Sequence, residues 1–160
     1  MNRRDFLASI AIGSLFAISG VRAMADSIKK LLLSDKEWRM KLNDKQYDVL
    51  REEVTEPAWS SDLNKEKREG VYACAGCGLA LFHSSMKFDS GTGWPSFTTT
   101  IKDAVETKTD WKILYPRTEY HCARCGGHQG HVFKDGPAPT GERWCNNGLA
   151  LKFIPTKEKV

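Results

Sequence analysis

Cys74-Ala-Gly-Cys77 and Cys122-Ala-Arg-Cys125 are two CxxC pairs, with 44 residues between them in a chain of 160. Four thiolates in two such pairs are the ligand set of a structural zinc site. A glycine follows each second cysteine, at Gly78 and Gly126, where it permits the tight turn of a zinc knuckle. The sequence therefore predicts one structural zinc ion that holds two hairpins together. Two disulfides are the alternative, but CxxC disulfides close small redox-active loops and are poor structural staples.

The fifth cysteine, Cys145, stands alone in Arg143-Trp-Cys-Asn-Asn147 and is free for chemistry. In an extended segment alternate side chains share a face, so Arg143, Cys145 and Asn147 point the same way. The guanidinium favours the thiolate, which is the nucleophilic form of cysteine. We predict that Cys145 is a catalytic nucleophile; a half-buried structural cysteine is the alternative.

Two histidines follow the second CxxC pair, in Gly126-Gly-His-Gln-Gly-His-Val-Phe133. The three glycines indicate a loop, in which His128 and His131 could polarise a substrate oxygen or move protons. With Cys145 as a third ligand they could instead bind a second metal ion, or they could be ordinary exposed residues. Asp135 could orient a histidine or a water molecule, although the sequence around it is also typical of a turn.

A further candidate is the segment Phe88-Asp-Ser-Gly-Thr-Gly-Trp-Pro-Ser-Phe97, in which glycine and proline fix a loop. Trp94 could form the apolar wall of a small substrate pocket. We predict that Trp94 and Phe97, together with Arg143 and Asp135, contact or support the substrate. Burial of the two aromatic residues in the core is the alternative.

Local patterns predict a mainly β fold with two short helices near the N-terminus. Capping boxes at Ser34-Asp-Lys-Glu37 and Asn43-Asp-Lys-Gln46 predict helices over 35–42 and 44–52. After Gly70 the β-favouring runs are short and no helix alternates with them, which favours two antiparallel sheets. The predicted strands are Val71–Ala73, Ala80–Phe82, Trp111–Tyr115, Thr118–His121, His131–Phe133, Arg143–Asn146 and Leu149–Ile154.

Charge argues against nucleic-acid binding. The net charge is +4, of which residues 1–25 contribute +2, so residues 26–160 carry +2. Positive and negative side chains are interspersed along residues 26–160 and form no basic stripe. These residues are enough for one ordinary domain, and we expect a monomer.

Residues 1–25 have the pattern of an export signal. Twin arginines in Asn2-Arg-Arg-Asp-Phe-Leu7 precede an apolar run that ends at Val21, and Ala23-Met-Ala25 is a small-x-small cleavage site. The twin-arginine form is typical of bacterial export of folded proteins, which suits a domain that takes up zinc first. We therefore predict a cleaved signal, a domain over 26–160, a periplasmic location and no stable membrane anchor. A general secretory signal or a retained anchor is the alternative.

Together these motifs resemble those of the B-type methionine sulfoxide reductases, the peptide-methionine (R)-S-oxide reductases. The motifs that carry the resemblance are Trp38-(x)3-Leu42, Thr55-Glu-Pro57, Gly70-Val-Tyr-Ala-Cys-Ala-Gly-Cys-Gly78, Lys87-Phe-Asp-Ser-Gly-Thr-Gly-Trp-Pro-Ser-Phe97, Gly127-His-Gln-Gly-His-Val-Phe133 and Arg143-Trp-Cys-Asn-Asn147. The resemblance implies antiparallel sheets, one four-cysteine structural zinc and the reduction of methionine-R-sulfoxide. The substrate would be methionine oxidised in peptides and proteins, so the activity would repair damage from oxidative stress.

The resemblance also implies a role for each candidate residue. Cys145 matches the family's nucleophile, and the four paired cysteines match its zinc ligands. Trp94 matches the residue that holds the substrate's methyl group. The polar residues around the sulfoxide are matched by His128, His131 and Asn147. Asp135 and Arg143 are weaker matches, as supporting residues. The implied reaction is attack of the Cys145 thiolate on the sulfoxide sulfur, which leaves methionine and a sulfenic acid.

One position departs from the pattern of many family members, which carry a second, resolving cysteine. This chain has Thr92 there, and no cysteine remains once the four paired ones are counted. The resemblance then implies that an external thiol, thioredoxin-like or small, reduces the sulfenic acid. Two other hypotheses remain: a zinc-ribbon module that binds a partner, and a hydrolase whose second metal is held by Cys145, His128 and His131.

Overall fold

Two short helices begin the part of the chain that the computed structural model describes, residues 28–157. Helix α1 spans Asp35–Lys41 and helix α2 spans Asp44–Glu52, and both start with the predicted capping box. Helix α1 ends one residue before the predicted boundary because Leu42 is already extended. No helix in the described residues is both long and apolar enough to cross a bilayer. The predicted export signal over 1–25 lies outside these residues.

Nine β-strands follow within residues 28–157, and every pairing between them is antiparallel. In chain order they are β1 Gly70–Cys74, β2 Ala80–His83, β3 Lys87–Phe88, β4 Ser96–Phe97, β5 Val105–Asp110, β6 Arg117–Cys122, β7 His128–Phe133, β8 Arg143–Asn146 and β9 Leu151–Pro155. One sheet has the order β2-β1-β9, and the other has the order β3-β4-β8-β7-β6-β5. The predicted fold, mainly β with two antiparallel sheets and short N-terminal helices, is confirmed.

One predicted strand is wrong. The segment Trp111–Tyr115 is the turn between β5 and β6, and its Trp111 and Leu114 side chains are 72% and 105% exposed. The true strand is β5, whose central residues Glu106–Thr109 are all exposed. It was missed because β5 is an edge strand, where polar residues are favoured and no apolar alternation is needed.

The predicted histidine loop is also wrong, because strand β7 begins at His128 and contains both histidines. Gly130 is required by strand packing rather than by a loop: a Cβ there would lie 1.9 Å from the carbonyl oxygen of Cys145 on β8. A spacing of three would put His128 and His131 on opposite faces of a regular strand. A register shift in the β6–β7 pairing brings them together, with ring centroids 5.5 Å apart.

The two sheets meet through aromatic side chains. Phe82 of β2 stacks on Phe97 of β4 with ring centroids 4.0 Å apart, and Tyr72 and Tyr120 pack around this pair. All four side chains are fully buried. Burial of a large apolar side chain stabilises a fold by about 1.5–3 kcal/mol, so this cluster holds the sheets together.

Candidate active site

The four paired cysteines are positioned to hold a metal ion. Their Sγ atoms all lie within 4.8 Å of one another, and the Cys74–Cys125 and Cys77–Cys122 pairs are 3.6 and 3.5 Å apart. A tetrahedral site with Zn–S bonds of about 2.3 Å needs S···S separations of about 3.8 Å, so the donor set fits zinc. Cys74 ends β1 and Cys122 ends β6, so the centre joins the two sheets.

The surroundings of this metal centre are closely packed. The side-chain amide of Gln129 donates to Sγ of Cys74 at 3.5 Å, which is the kind of outer contact that orients a metal ligand. A Cβ on Gly127 would lie 2.9 Å from the Leu50 side chain and 3.3 Å from Sγ of Cys125. Glycine after the second CxxC pair is therefore needed for helix α2 to pack against the centre.

Cys145 lies in a row of side chains that crosses the six-stranded sheet. It pairs directly with His131 on β7 and with Ser96 on β4, and His131 in turn pairs with Glu119 on β6. Directly paired residues project on the same face of a sheet. The thiol and the imidazole therefore share one face, apart from the metal centre.

This face opens into a small cleft of about 140 Å³. Cys145, His131, Asn147 and Trp94 all line it, so four of the predicted site residues meet there. The rest of the lining is Thr55, Arg117, Gly130 and Phe133. A larger groove of about 570 Å³ beside α2 is lined by no cysteine or histidine and offers no comparable chemistry.

A buried carboxylate orients His131. Nε2 of His131 lies 2.8 Å from Oδ2 of Asp110, which also accepts from Arg117 at 2.6 Å. The backbone N–H of Lys112, together with His131 and Arg117, holds the pKa of Asp110 well below its ordinary value, so the carboxylate stays anionic. A neutral ring that donates Nε2–H to Asp110 has a lone pair on Nδ1, whereas the imidazolium has a second N–H there.

His128 is buried beside His131 and does not line the cleft. It is 2% exposed, and its Nδ1 lies 3.0 Å from Oε1 of Glu119. The ring N–H is not aimed at this oxygen, so the contact is electrostatic rather than a well-formed hydrogen bond. Burial lowers the pKa of His128, and Glu119 opposes that shift. The structure thus corrects the predicted position of His128 beside the substrate, because its ring is buried against His131 and Glu119 and does not line the cleft.

Two opposing effects act on the Cys145 thiol. Burial raises its pKa and the charge of Arg143 lowers it, and the net result is a pKa above the ordinary value. Arg143 stacks over Phe133 at 4.3 Å and binds Asp135 through hydrogen bonds of 2.8 and 2.9 Å. The guanidinium favours the thiolate, as predicted, but desolvation outweighs it. Arg143 and Asp135 do not line the cleft, so the structure corrects their predicted contact with substrate to support of the thiol.

The two aromatic candidates have different positions. Trp94 lines the cleft, and its indole N–H donates to the carbonyl oxygen of Glu56 at 3.0 Å. Phe97 is fully buried against Phe82 in the core, where no substrate can reach it. The predicted substrate contact of Phe97 is therefore wrong, because β4 directs its ring between the two sheets.

Asn147 is fixed by the backbone on both sides of its amide. Its Oδ1 accepts from the Glu56 N–H at 3.1 Å, and its Nδ2 donates to the carbonyl oxygen of Gln129 at 3.0 Å. The second hydrogen on Nδ2 has no partner within residues 28–157. Because Asn147 lines the cleft, this N–H is a candidate donor to a bound oxygen.

Sequence reasoning missed the carboxylates beside the two histidines. Asp110 and Glu119 lie on β5 and β6, and only strand register brings them to His131 and His128. The sequence feature that could have indicated Asp110 was its position opposite Arg117. The two residues flank the apolar turn and form the base of a hairpin. Such pairs are ordinary in hairpins, so the signal alone did not indicate function.

The ligand set required by the second-metal hypothesis does not come together within residues 28–157. Within residues 28–157, the four paired cysteines are the one group that brings three or more cysteine, histidine or carboxylate ligand atoms together. Cys145, His128 and His131 do not form such a group. The hydrolase hypothesis is therefore not supported by the geometry of these side chains.

Comparison with known proteins places this chain in a family. The SelR domain matches residues 42–155. The peptide methionine sulfoxide reductase MsrB of Leifsonia xyli subsp. xyli is 52% identical over 127 residues, which are 78% of this chain and 91% of that protein. The MsrB of Methanosarcina barkeri is 50% identical over 126 residues, which are 78% of this chain and 89% of that protein. The chain therefore belongs to the SelR-domain family, that of the B-type methionine sulfoxide reductases.

Proposed function

We propose that this chain reduces methionine-R-sulfoxide, preferentially within peptides and proteins, and so repairs oxidised proteins. The observation that carries the proposal is the cleft in which Cys145 and His131, direct cross-strand partners, meet Trp94 and Asn147. A nucleophile, an acid, an apolar wall and an amide donor are the groups that this reaction needs. Membership of a family whose relatives are named peptide methionine sulfoxide reductases supports the same reaction.

The chemical step follows from the properties of a sulfoxide, whose sulfur is a weak electrophile until its oxygen is protonated or hydrogen-bonded. The Cys145 thiolate attacks that sulfur, and the protonated ring of His131 gives a proton to the oxygen. The oxygen leaves the substrate and remains on Cys145 as a sulfenic acid. Thiolate, sulfoxide and one proton thus give sulfenic acid and methionine, so the sulfoxide gains two electrons and the cysteine loses two. Asp110 provides the counter-charge for the imidazolium.

Trp94 and Asn147 select the epimer in this proposal. The methyl group of the substrate rests on the Trp94 indole, and the oxygen reaches His131 and the free N–H of Asn147. In the S epimer the methyl group and the oxygen exchange places. The oxygen would then face an apolar wall and the polar donors would stay unpaired, which is a strong basis for rejection.

The four-cysteine centre holds one structural zinc ion in this proposal. Four protein ligands fill a tetrahedral zinc ion and leave no open position, so the ion contributes folding energy rather than chemistry. The separations of 3.6 and 3.5 Å between paired sulfurs support this assignment. The ion would fix the ends of β1 and β6 and, through the sheet, the strands that carry His131 and Cys145.

Regeneration of the enzyme uses an external thiol. Four of the five cysteines belong to the metal centre, and Thr92 stands where the family resemblance places a second cysteine. A thioredoxin-like protein or a small thiol attacks the sulfenic acid and releases water, and a second thiol then resolves the mixed disulfide. We place this monomeric enzyme in the periplasm, on the basis of the twin-arginine sequence in residues 1–25.

Single-turnover reduction tests the proposed function. The purified chain is mixed with each separated epimer of a blocked methionine sulfoxide, without reductant, and methionine is counted per chain. About one equivalent from the R epimer and almost none from the S epimer are expected, since one cysteine supplies one electron pair. No product from either epimer, with metal bound and the fold intact, would reject the reaction and favour the partner-binding module.

A further inference from the structure

Glu56 is a buried acidic residue at the edge of the cleft. It is 3% exposed, although Thr55 and Pro57 on either side are exposed. Its Oε1 accepts from the backbone N–H of Gly148 at 2.6 Å, and its Oε2 accepts from that of Leu149 at 3.0 Å. A buried carboxylate is costly unless it is hydrogen-bonded, so these two bonds fix the side chain in one position.

The backbone of the same residue binds two side chains of the cleft. The N–H of Glu56 donates to Oδ1 of Asn147 at 3.1 Å, and its carbonyl oxygen accepts from the indole N–H of Trp94 at 3.0 Å. Trp94 and Asn147 both line the cleft. The backbone of Glu56 therefore links Trp94 to Asn147. Its carboxylate binds the two residues that directly follow Asn147.

The turn that receives the carboxylate has little freedom to adjust. A Cβ on Gly148 would lie 2.0 Å from Oγ of Ser61 and 3.1 Å from Oε1 of Glu56. Asn147 is also held from its other side by the carbonyl oxygen of Gln129. A displacement of Glu56 would therefore move Trp94 relative to Asn147 rather than be absorbed by the turn.

We propose that Glu56 is a positioning residue that sets the separation of Trp94 and Asn147 and thereby the preference for one sulfoxide epimer. This inference rests on the proposed function. The two epimers differ only in the exchange of methyl group and oxygen, so discrimination needs a wall and a donor at a fixed separation. A misplacement of about 1 Å in such a site costs on the order of 10²-fold in rate.

The variant Glu56→Gln tests the proposal in the full chain. Glutamine keeps the volume, but its NH2 group would face one of the two backbone N–H donors and could not accept from it. We expect the ratio of kcat/KM between the two epimers to fall by about tenfold or more, mainly through kcat for the preferred epimer. The variant Trp94→Phe removes the indole N–H, so its effect on the ratio and that of Glu56→Gln should be strongly non-additive.

Leu63→Ala is the matched control. Leu63 is partly buried against the core and lines the same groove as Glu56, but its side chain makes no hydrogen bond to Trp94 or Asn147. This variant should lose stability and keep the wild-type epimer ratio. An unchanged ratio in folded Glu56→Gln would overturn the proposal. If that variant does not fold, Glu56→Asp, whose shorter side chain cannot reach both N–H groups, is measured in the same way.

A second readout does not depend on activity. Hydrogen exchange of the Trp94 indole N–H, assigned with Trp94→Phe, reports the bond to Glu56 directly. Faster exchange in Glu56→Gln than in Leu63→Ala supports the positioning role, and equal exchange in the two variants overturns it. If the wild-type chain reduces neither epimer, the proposed function fails, and this exchange measurement decides whether Glu56 positions Trp94.

Discussion

His131 and Cys145 are direct partners across strands β7 and β8, so their side chains lie on the same face of the six-stranded sheet. Asp110 on β5 holds the imidazole at Nε2, at 2.8 Å. The proposed acid and the proposed nucleophile are thus placed by backbone register rather than by loops. Sites built on strands hold their geometry more precisely than sites on loops, which suits an attack that requires alignment.

Replacement of Cys145 by serine should abolish turnover and leave the fold intact. A serine hydroxyl is a far weaker nucleophile than a thiolate, and Cys145 is not one of the four metal-centre cysteines. We expect single-turnover activity to fall by at least about 10³-fold, with unchanged metal content by elemental analysis. Retained activity would show that another group attacks the substrate.

The variant Asp110→Asn should lower kcat with little change in KM. The amide cannot supply the counter-charge for a protonated His131, and proton transfer by a positioned side chain is worth about 10²–10⁴-fold. We expect kcat to fall by about 10²-fold at neutral pH.

A matched control for this variant is Glu106→Gln. Glu106 is an exposed carboxylate that lies 3.5 Å from Nε2 of His121, in the same carboxylate–histidine arrangement but outside the cleft. Its removal should leave kcat unchanged. An equal loss of activity in both variants would point to a general electrostatic effect and not to His131.

The fold was largely predictable because its local signals agree with the tertiary structure. The CxxC pairs end in knuckles whose sulfurs converge, and both capping boxes start real helices. The failures have one physical cause each. Strand β5 gains its stability from pairing with β6 at the sheet edge, which polar side chains do not reveal, and the apolar turn Trp111–Tyr115 imitates a strand.

The residues that line the cleft were more predictable than those that position them. Cys145 and His131 could be chosen by their chemistry, and Trp94 and Asn147 by the family resemblance. Asp110 lies 21 residues before His131, and Glu56 lies 91 residues before Asn147. These contacts depend on strand register and on the path of the chain, which no local pattern specifies. Phe97 and Trp94 are both aromatic, and only the direction of strand β4 places the Phe97 ring in the core.

Alkylation of Cys145 should rise with pH because the thiolate is the nucleophile and burial raises the pKa of Cys145. The variant Arg143→Gln removes the charge that lowers this pKa, so the rising limb should move to higher pH. Each unit of further increase reduces the thiolate fraction at neutral pH by about tenfold. The pH dependence of alkylation of Cys145 by iodoacetamide measures this shift, with Cys145→Ser as the blank.

The exposed Lys134, which lies next to Asp135 in the sequence, provides a control for loss of positive charge. We expect Lys134→Gln to keep the wild-type alkylation profile. A profile that moves to lower pH in Arg143→Gln would contradict the assigned effect of the guanidinium on the thiol.

Removal of the proposed zinc ion should destabilise the domain. Four thiolates brought within 4.8 Å of one another repel without a cation, and the centre joins the two sheets at Cys74 and Cys122. Structural zinc contributes on the order of 10 kcal/mol in small domains, so a strong chelator should lower Tm by about 10 °C or more. Thermal unfolding with and without chelator measures this, and Cys145→Ser should respond as the wild type does. A metal-free protein with unchanged Tm would remove the structural role.

Thr92 is the position that departs from the pattern of many family members. The hydroxyl of Thr92 is close enough to the Cys145 thiol to lower its pKa, and it also bonds Ser90 at 2.8 Å. A thiol introduced by Thr92→Cys would therefore meet the sulfenic acid on Cys145, attack its sulfur and release water to form a disulfide. We expect this variant to lose two free thiols per methionine formed, whereas the wild type loses one. It should also escape labelling by dimedone, which traps sulfenic acids. The variant Thr92→Ser keeps the hydroxyl and adds no thiol, so it should behave as the wild type. Persistent dimedone labelling of Thr92→Cys after turnover would show that position 92 does not reach the oxidised sulfur, and the dependence on an external thiol would then have a cause other than the missing cysteine.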